Sequence, residues 1–147
     1  KEHDALMGGE ESGGFSIRGH VREKDGVLMG LLGAAAAAAE PMDERVDRLL
    51  DTHGDIVADK ISLDCPDAEK QRVIDELDDE LPEQVAGRDI EKVVTLDGFK
   101  LLLEDGSWLL ARPSGTEPKM RVYAEASSEE AVRELLDAGR ELVAPLI

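Results

Sequence analysis

The run Arg112-Pro113-Ser114-Gly115-Thr116-Glu117-Pro118-Lys119 carries residue types that suit an anion. Arginine offers a planar fork that matches phosphate geometry. Ser114 and Thr116 offer hydroxyl donors, and Gly115 lets backbone amides turn toward a negative charge. Pro113 and Pro118 stiffen the frame. Arg121 lies just beyond, so Arg112, Lys119 and Arg121 form a local positive spot in a chain of formal charge −17. Read more plainly, the same residues make a well-formed turn with a solvated arginine.

Two further stretches hold chemistry of other kinds. Gly8-Gly9-Glu10-Glu11-Ser12-Gly13-Gly14 brackets two carboxylates and a hydroxyl with glycines. Such groups suit sugar hydroxyls, which donate and accept at once, although a flexible solvated loop has the same composition. His20-Val21-Arg22-Glu23-Lys24-Asp25-Gly26 places three potential cations within five residues at the head of a helix. A lysine there can hold a phosphate, or act as acid or base if burial lowers its pKa. The plainer reading is a helix start capped by Asp25 beside a mixture of surface charges.

Other stretches carry weaker signals. The acid-rich run Asp75 to Glu80 lies on an amphipathic helix and reads as a solvated face. His3 and His53 have no second histidine at ligand spacing. Cys65 sits beside Pro66 with no neighbouring His or Lys to activate it. No dinucleotide or Walker-type glycine loop is present.

The elements that position these stretches are legible from periodicity. Residues 1 to 19 read as loop. Asp25 to Glu40 reads as a helix with apolar residues all round, hence largely buried, and Asp43 to Thr52 as a second helix. One loop and two helices cannot bury that apolar helix alone. From Asp55 onward the pattern is self-contained. Ile56 to Leu63 reads as a strand, and Asp67 to Leu81 as an amphipathic helix. Ile90 to Leu96, Phe99 to Glu104 and Ser107 to Ala111 read as strands joined at Asp97-Gly98 and Asp105-Gly106, two-residue hairpin signals. Met120 to Ala126 adds a further strand. Ser127 or Ser128 caps a last helix with Glu129 and Glu130 in its first turn. The expected class is α+β: an antiparallel sheet of four to five strands backed by two helices.

Composition bounds the function. The chain has 147 residues, 34 acidic and 17 basic, with 3% aromatics. That charge argues against duplex nucleic acid or an anionic membrane as a partner. The longest uncharged stretch, Gly26 to Ala39, has 14 residues and is too short to span a bilayer. A single cysteine excludes an internal disulfide and any cysteine-based zinc site, and a reducing, cytoplasmic setting fits. No signal peptide is visible. Acids spread along the whole chain suit either a protein kept soluble in high salt or an ordinary acidic cytosolic one.

In this order, Gly9-Glu10-Glu11-Ser12-Gly13-Gly14, His20 to Gly26, Thr95-Leu96-Asp97-Gly98 and Arg112 to Pro118 resemble the C-terminal part of an α-D-phosphohexomutase, the phosphoglucomutase and phosphomannomutase family. The resemblance covers essentially the whole chain. It implies that residues 1–54 are the end of the family's third domain and 55–147 its fourth, a TATA-binding-protein-like fold preceded by the helical end of an α/β domain. It implies that Glu10 and Ser12 contact sugar hydroxyls. Arg112, Ser114, Gly115 and Thr116 would then hold the phosphate that is not transferred, with Arg121 assisting. Lys24 and His20 match residues near the reacting hydroxyl. Gly14 stands where mannose-type members often have His, which favours a phosphoglucomutase-like reading. The phosphoserine loop and the aspartate-rich magnesium loop are absent from the chain. The resemblance thus implies that magnesium binds outside it, that a hexose 1,6-bisphosphate is the intermediate, that the partners are a hexose phosphate and the other domains of the same protein, and that the piece is inactive alone. A reading of another class is a freestanding phosphate-binding or interaction module without catalysis.

Overall fold

The computed structural model describes residues 5–10, 13–21, 23–79 and 81–147. The chain divides into two compact units, residues 1–52 and 53–147.

In the first unit, β1 (Met7–Gly9) and β2 (Phe15–Ile17) pair antiparallel, with Met7 opposite Ile17 and Gly9 opposite Phe15. The expected loop over residues 1–19 therefore contains a hairpin. Three-residue strands rich in glycine and serine have little intrinsic strand signal. The pairing rests on backbone hydrogen bonds, which composition does not report. Helix α1 (Gly26–Ala39) begins at Asp25, whose carboxylate accepts the Leu28 N–H at 3.0 Å. Helix α2 (Met42–His53) follows directly, with Asp43 and Glu44 in its first turn.

The expectation that α1 is buried is not met. None of its residues is buried, and Val27 and Leu31 are 77% and 65% exposed. Burial needs an opposing layer, and this unit offers only a two-stranded hairpin and a polar helix among its described residues. Length also matters: among the described residues no helix is long and apolar enough to cross a membrane.

The second unit holds the sheet. Strands β3 (Val57–Asp64), β4 (Gln84–Val85), β5 (Arg88–Val94), β6 (Phe99–Leu103), β7 (Trp108–Pro113) and β8 (Lys119–Ala126) assemble in the order β3-β8-β7-β6-β5-β4, all antiparallel. The expected meander is present, and the two-residue β4 extends it to a sixth strand. Helices α3 (Lys70–Asp79) and α4 (Glu129–Val143) cover one face. Burial alternates strictly along β8, with Met120, Val122, Ala124 and Ala126 inward. This period of two is what a sheet covered on one side requires. Leu135, Val73 and Leu103 close the core from the helices and from β6. Ser128 caps α4 by accepting the Ala131 N–H, with Glu129 and Glu130 favourably placed at the positive helix end.

The turn at Asp105-Gly106 differs from the two-residue expectation. The Gly106 N–H donates to the Leu103 carbonyl and the Leu103 N–H to the Ser107 carbonyl. The loop is thus three residues, Glu104 to Gly106, closing with Gly106 at φ 84°. The connection at Asp97-Gly98 is also longer, since Val94 pairs with Lys100.

Candidate functional site

The register of β7 and β8 builds the principal site. Ala111 faces Val122 and both point into the core, so the next pair, Arg112 opposite Arg121, points to the face away from the helices. Two guanidinium-bearing residues therefore stand on adjacent strands where the chain turns from β7 to β8. Like charges directly opposite one another are unfavourable unless something compensates them. Carboxylates do so here. Arg112 donates to Asp97 Oδ2 at 2.8 Å. Arg121 donates to Glu117, and Tyr123, then Glu117, raise its pKa further. The Arg121 contact, with Lys119 close by, holds the Glu117 carboxyl below its usual range.

Between the arginines, the loop is tied at several points. The Ser114 N–H donates to the Lys119 carbonyl at 2.9 Å. Ser114 is buried, and its Oγ accepts the Glu117 N–H at 3.3 Å, so it shapes the loop from within. The Cys65 N–H donates to the Pro118 carbonyl. Gly115 and Thr116 are exposed at the tip. Among the described residues, neither of their N–H groups finds an acceptor in the chain. Consecutive unpartnered amides flanked by two arginines are groups suited to a phosphate-like anion.

Arg112 is located by the neighbouring hairpin. Gly98 has φ 104°, and a Cβ built there would stand 2.6 Å from the Ala111 carbonyl oxygen and 3.0 Å from Arg112 Cβ. The β5–β6 connection thus lies directly against the base of Arg112 and brings Asp97 to its guanidinium. Thr95-Leu96-Asp97-Gly98 is distinctive as a motif, but its role as a support appears only once the strands are paired.

The first unit carries a second cluster. The Glu10 N–H donates to the Gly14 carbonyl at 2.8 Å and closes the glycine loop at the hairpin tip. Lys24 Nζ donates to Glu10 Oε2 at 2.8 Å, a bond that raises the Lys24 pKa. A side chain on residue 14 would collide with that lysine, since a Cβ there would lie 2.4 Å from Lys24 Cδ. Gly14 is what allows Lys24 to reach across the loop. His20 Nε2 lies 2.8 Å from Asp25 Oδ2. The Leu28 N–H, then His20, hold the Asp25 carboxyl below its ordinary pKa. The Asp25 cap is therefore charged at neutral pH and is lost only as pH falls through that lowered value. The structure pairs Lys24 with Glu10 of the loop and His20 with Asp25 of the helix cap. Ser12 and Glu11, and Arg22 beside Lys24, lie outside the described residues.

The remaining candidates stay peripheral. Asp75 and Glu76 pair with Gln71 and Arg72 along α3, and among the described residues no group of three or more His, Cys, Asp or Glu is arranged to hold a metal. Cys65 is fully buried, and burial pushes its thiol pKa up, so it is not a nucleophile. His53 ends α2 on the surface, and His3 is outside the described residues. Sequence reasoning missed Lys70. It reaches the Arg112–Lys119 loop from α3, and no local pattern signals a contact across 44 residues.

The family model of the phosphoglucomutase/phosphomannomutase C-terminal domain matches residues 61–142, and that of the family's α/β/α domain III matches residues 1–53. A phosphopentomutase of Thermococcus kodakarensis is 36% identical over 121 residues, which are 82% of this chain and 26% of that protein. A phosphoglucosamine mutase of Methanococcus aeolicus is 36% identical over 143 residues, 97% of this chain and 30% of its own length. The crystal structure of a phosphoglucomutase/phosphomannomutase family protein from Burkholderia thailandensis superposes with a TM-score of 0.68 at 26% identity, covering 99% of this chain and 29% of that one. The chain thus spans under a third of the length of these relatives. Matched over most of its residues by the family's C-terminal and third-domain models, the chain belongs to the phosphoglucomutase/phosphomannomutase family.

Proposed function

We propose that this chain supplies two binding elements of a phosphohexomutase, an enzyme that interconverts sugar 1-phosphates and 6-phosphates through a bisphosphate. The Arg112–Lys119 loop holds the phosphate that stays on the sugar. Glu10 and Ser12 hold sugar hydroxyls, with Lys24 and His20 near the reacting one. The observation that carries the reading is the pair of unpartnered Gly115 and Thr116 amides between Arg112 and Arg121 on paired strands. The relatives act, by name, on pentose, glucosamine and glucose or mannose phosphates. Their substrates differ in the sugar and share the phosphate, so a phosphate clamp is the element such enzymes need in common.

Phosphoryl transfer is mostly positioning and charge neutralisation. In this reading the chain contributes positioning only. The described residues offer no set of ligands for magnesium. Its place is expected outside the chain, and no step is assigned to it. The chain alone is then expected to bind without turning over.

An amide-shift titration of the chain with glucose 1-phosphate, at molar salt, tests this. Shifts at Arg112 to Arg121 that glucose without phosphate does not produce are expected. A folded chain whose loop amides respond to neither glucose 1-phosphate nor inorganic phosphate would overturn the clamp. Binding to the loop with no activity in the full-length protein would instead leave a freestanding phosphate-binding module.

A further inference from the structure

Lys70 opens α3, far in sequence from the loop, yet its ammonium lies beneath it. Nζ donates to the Ser114 carbonyl at 2.6 Å and to the Glu117 carbonyl at 2.6 Å. It also lies 2.6 Å from Asp67 Oδ1. The side chain is only 13% exposed. An ammonium has three hydrogens, and all three are engaged. Among the described cations of the site it is the least exposed, and a direct grip on a ligand is not its task.

Peptide geometry says what the contact does. In a trans peptide the C=O of one residue and the N–H of the next point in opposite directions. Drawing the Ser114 carbonyl toward Lys70 turns the Gly115 N–H to the opposite side of the loop. Drawing in the Glu117 carbonyl turns no amide away, because the next residue is Pro118, which has no N–H. The Glu117 carbonyl also accepts the Lys119 N–H at 2.8 Å, so without a cation at this point it is the Ser114 carbonyl that would lose its donor, and the Ser114–Gly115 plane could rotate and present an oxygen to the anion instead.

We infer that Lys70 is a positioning residue of the phosphate loop. It pins the Ser114 and Glu117 carbonyls on the α3 side and so holds the Gly115 N–H toward the ligand. This rests on the phosphate-clamp reading above, and the test separates the two. The chain and its Lys70→Met and Lys70→Arg variants are titrated with inorganic phosphate at constant ionic strength and followed by amide shifts. Methionine keeps the aliphatic stem and loses every donor. Arginine keeps charge and donors.

The expected result is a ligand-free Met variant with altered Gly115 and Thr116 amide shifts and an unchanged β3–β8 pattern. Its phosphate affinity falls about tenfold, in line with one charge-assisted hydrogen bond, and the Arg variant regains part of it. A Met variant that binds phosphate as tightly as the parent overturns the inference. So does one with weakened binding but an unmoved Gly115 amide, because Lys70 would then act as a bare charge. Shifts spread across the whole sheet overturn it too, as the lysine would be a general structural tie. A parent chain indifferent to phosphate removes the clamp, and with it this role. If only the Met variant fails to fold, the Arg variant must show the Gly115 shift together with intermediate affinity, and parent-like values in both overturn the inference.

Discussion

Replacing Arg112 with alanine is expected to raise the KM for a sugar phosphate about a hundredfold in the full-length protein. A charge-assisted hydrogen bond contributes about 1.5–3 kcal/mol, and a forked arginine can make two to one phosphate. Each ~1.4 kcal/mol is a factor of ten. The same substitution should leave stability nearly untouched. Arg112 is 44% exposed and its partner Asp97 76% exposed, and exposed ion pairs contribute little. Its removal also relieves the like-charge pairing with Arg121 across β7 and β8. Arg112→Lys keeps the charge but not the fork, and should fall between the two. The checks are steady-state kinetics for KM and urea unfolding for stability. A KM within threefold of the parent, with an unchanged urea midpoint, would remove Arg112 from the clamp.

The separation of affinity from stability follows from how the sheet is used. One face of β7 and β8 is core, where Ala111, Met120 and Val122 are buried under α3 and α4. The other face carries Arg112 and Arg121. Because strand side chains alternate, the residue proposed to bind is one step from the residue that folds. The inward set fixes the register, and the register sets the arginines opposite each other. A slip of one residue would exchange the two sets. The buried face is thus what guarantees the geometry of the exposed one.

Much of this was readable in the residues. The alternation of Met120 to Ala126 and the apolar face of α4 are local patterns that survive into the fold, and the Asp-Gly signals mark where the turns fall although both loops are longer than two residues. The loop Arg112 to Lys119 was readable for the same reason, since its residue types and its glycine are adjacent in the chain. What escaped was non-local. Lys70 meets Ser114 across 44 residues, and Asp97 meets Arg112 across 15. The β1–β2 hairpin escaped because its strands are only three residues long and Gly8, Gly9 and Ser16 dilute the strand signal of Phe15 and Ile17. The burial of α1 was misread because an apolar surface states what a helix seeks, not what lies beside it. Gly14 was legible as a departure from a family pattern. Its physical meaning, room for the Lys24 stem, needed coordinates.

Gly98→Ala is expected to lower stability by about 3 kcal/mol and to weaken phosphate binding as well. Two costs combine. The first is conformational: φ at 104° lies where an L side chain is rarely found, and a positive φ costs a non-glycine residue about 1–2 kcal/mol. The second is steric. The new methyl would sit 2.6 Å from the Ala111 carbonyl oxygen and 3.1 Å from Arg112 Cα. Both are backbone atoms of β7, so nothing flexible can move aside, and overpacking of this kind costs about 1–3 kcal/mol. Gly106 separates the two effects. It too has a positive φ, 84°, but its Cβ would meet nothing within 4 Å. Gly106→Ala should therefore cost about 1–2 kcal/mol and leave phosphate affinity at the parent value. With a urea dependence of about 1–3 kcal/mol per molar, the two midpoints should be separated by a readily measured margin. Displacing the β5–β6 connection also takes Asp97 from Arg112 and shifts the strand that carries the guanidinium, so affinity falls along with the midpoint only for Gly98. Equal midpoints for the two variants would mean that the contact with Ala111 yields cheaply. A Gly98 variant that bound phosphate normally would mean that the hairpin does not place Arg112.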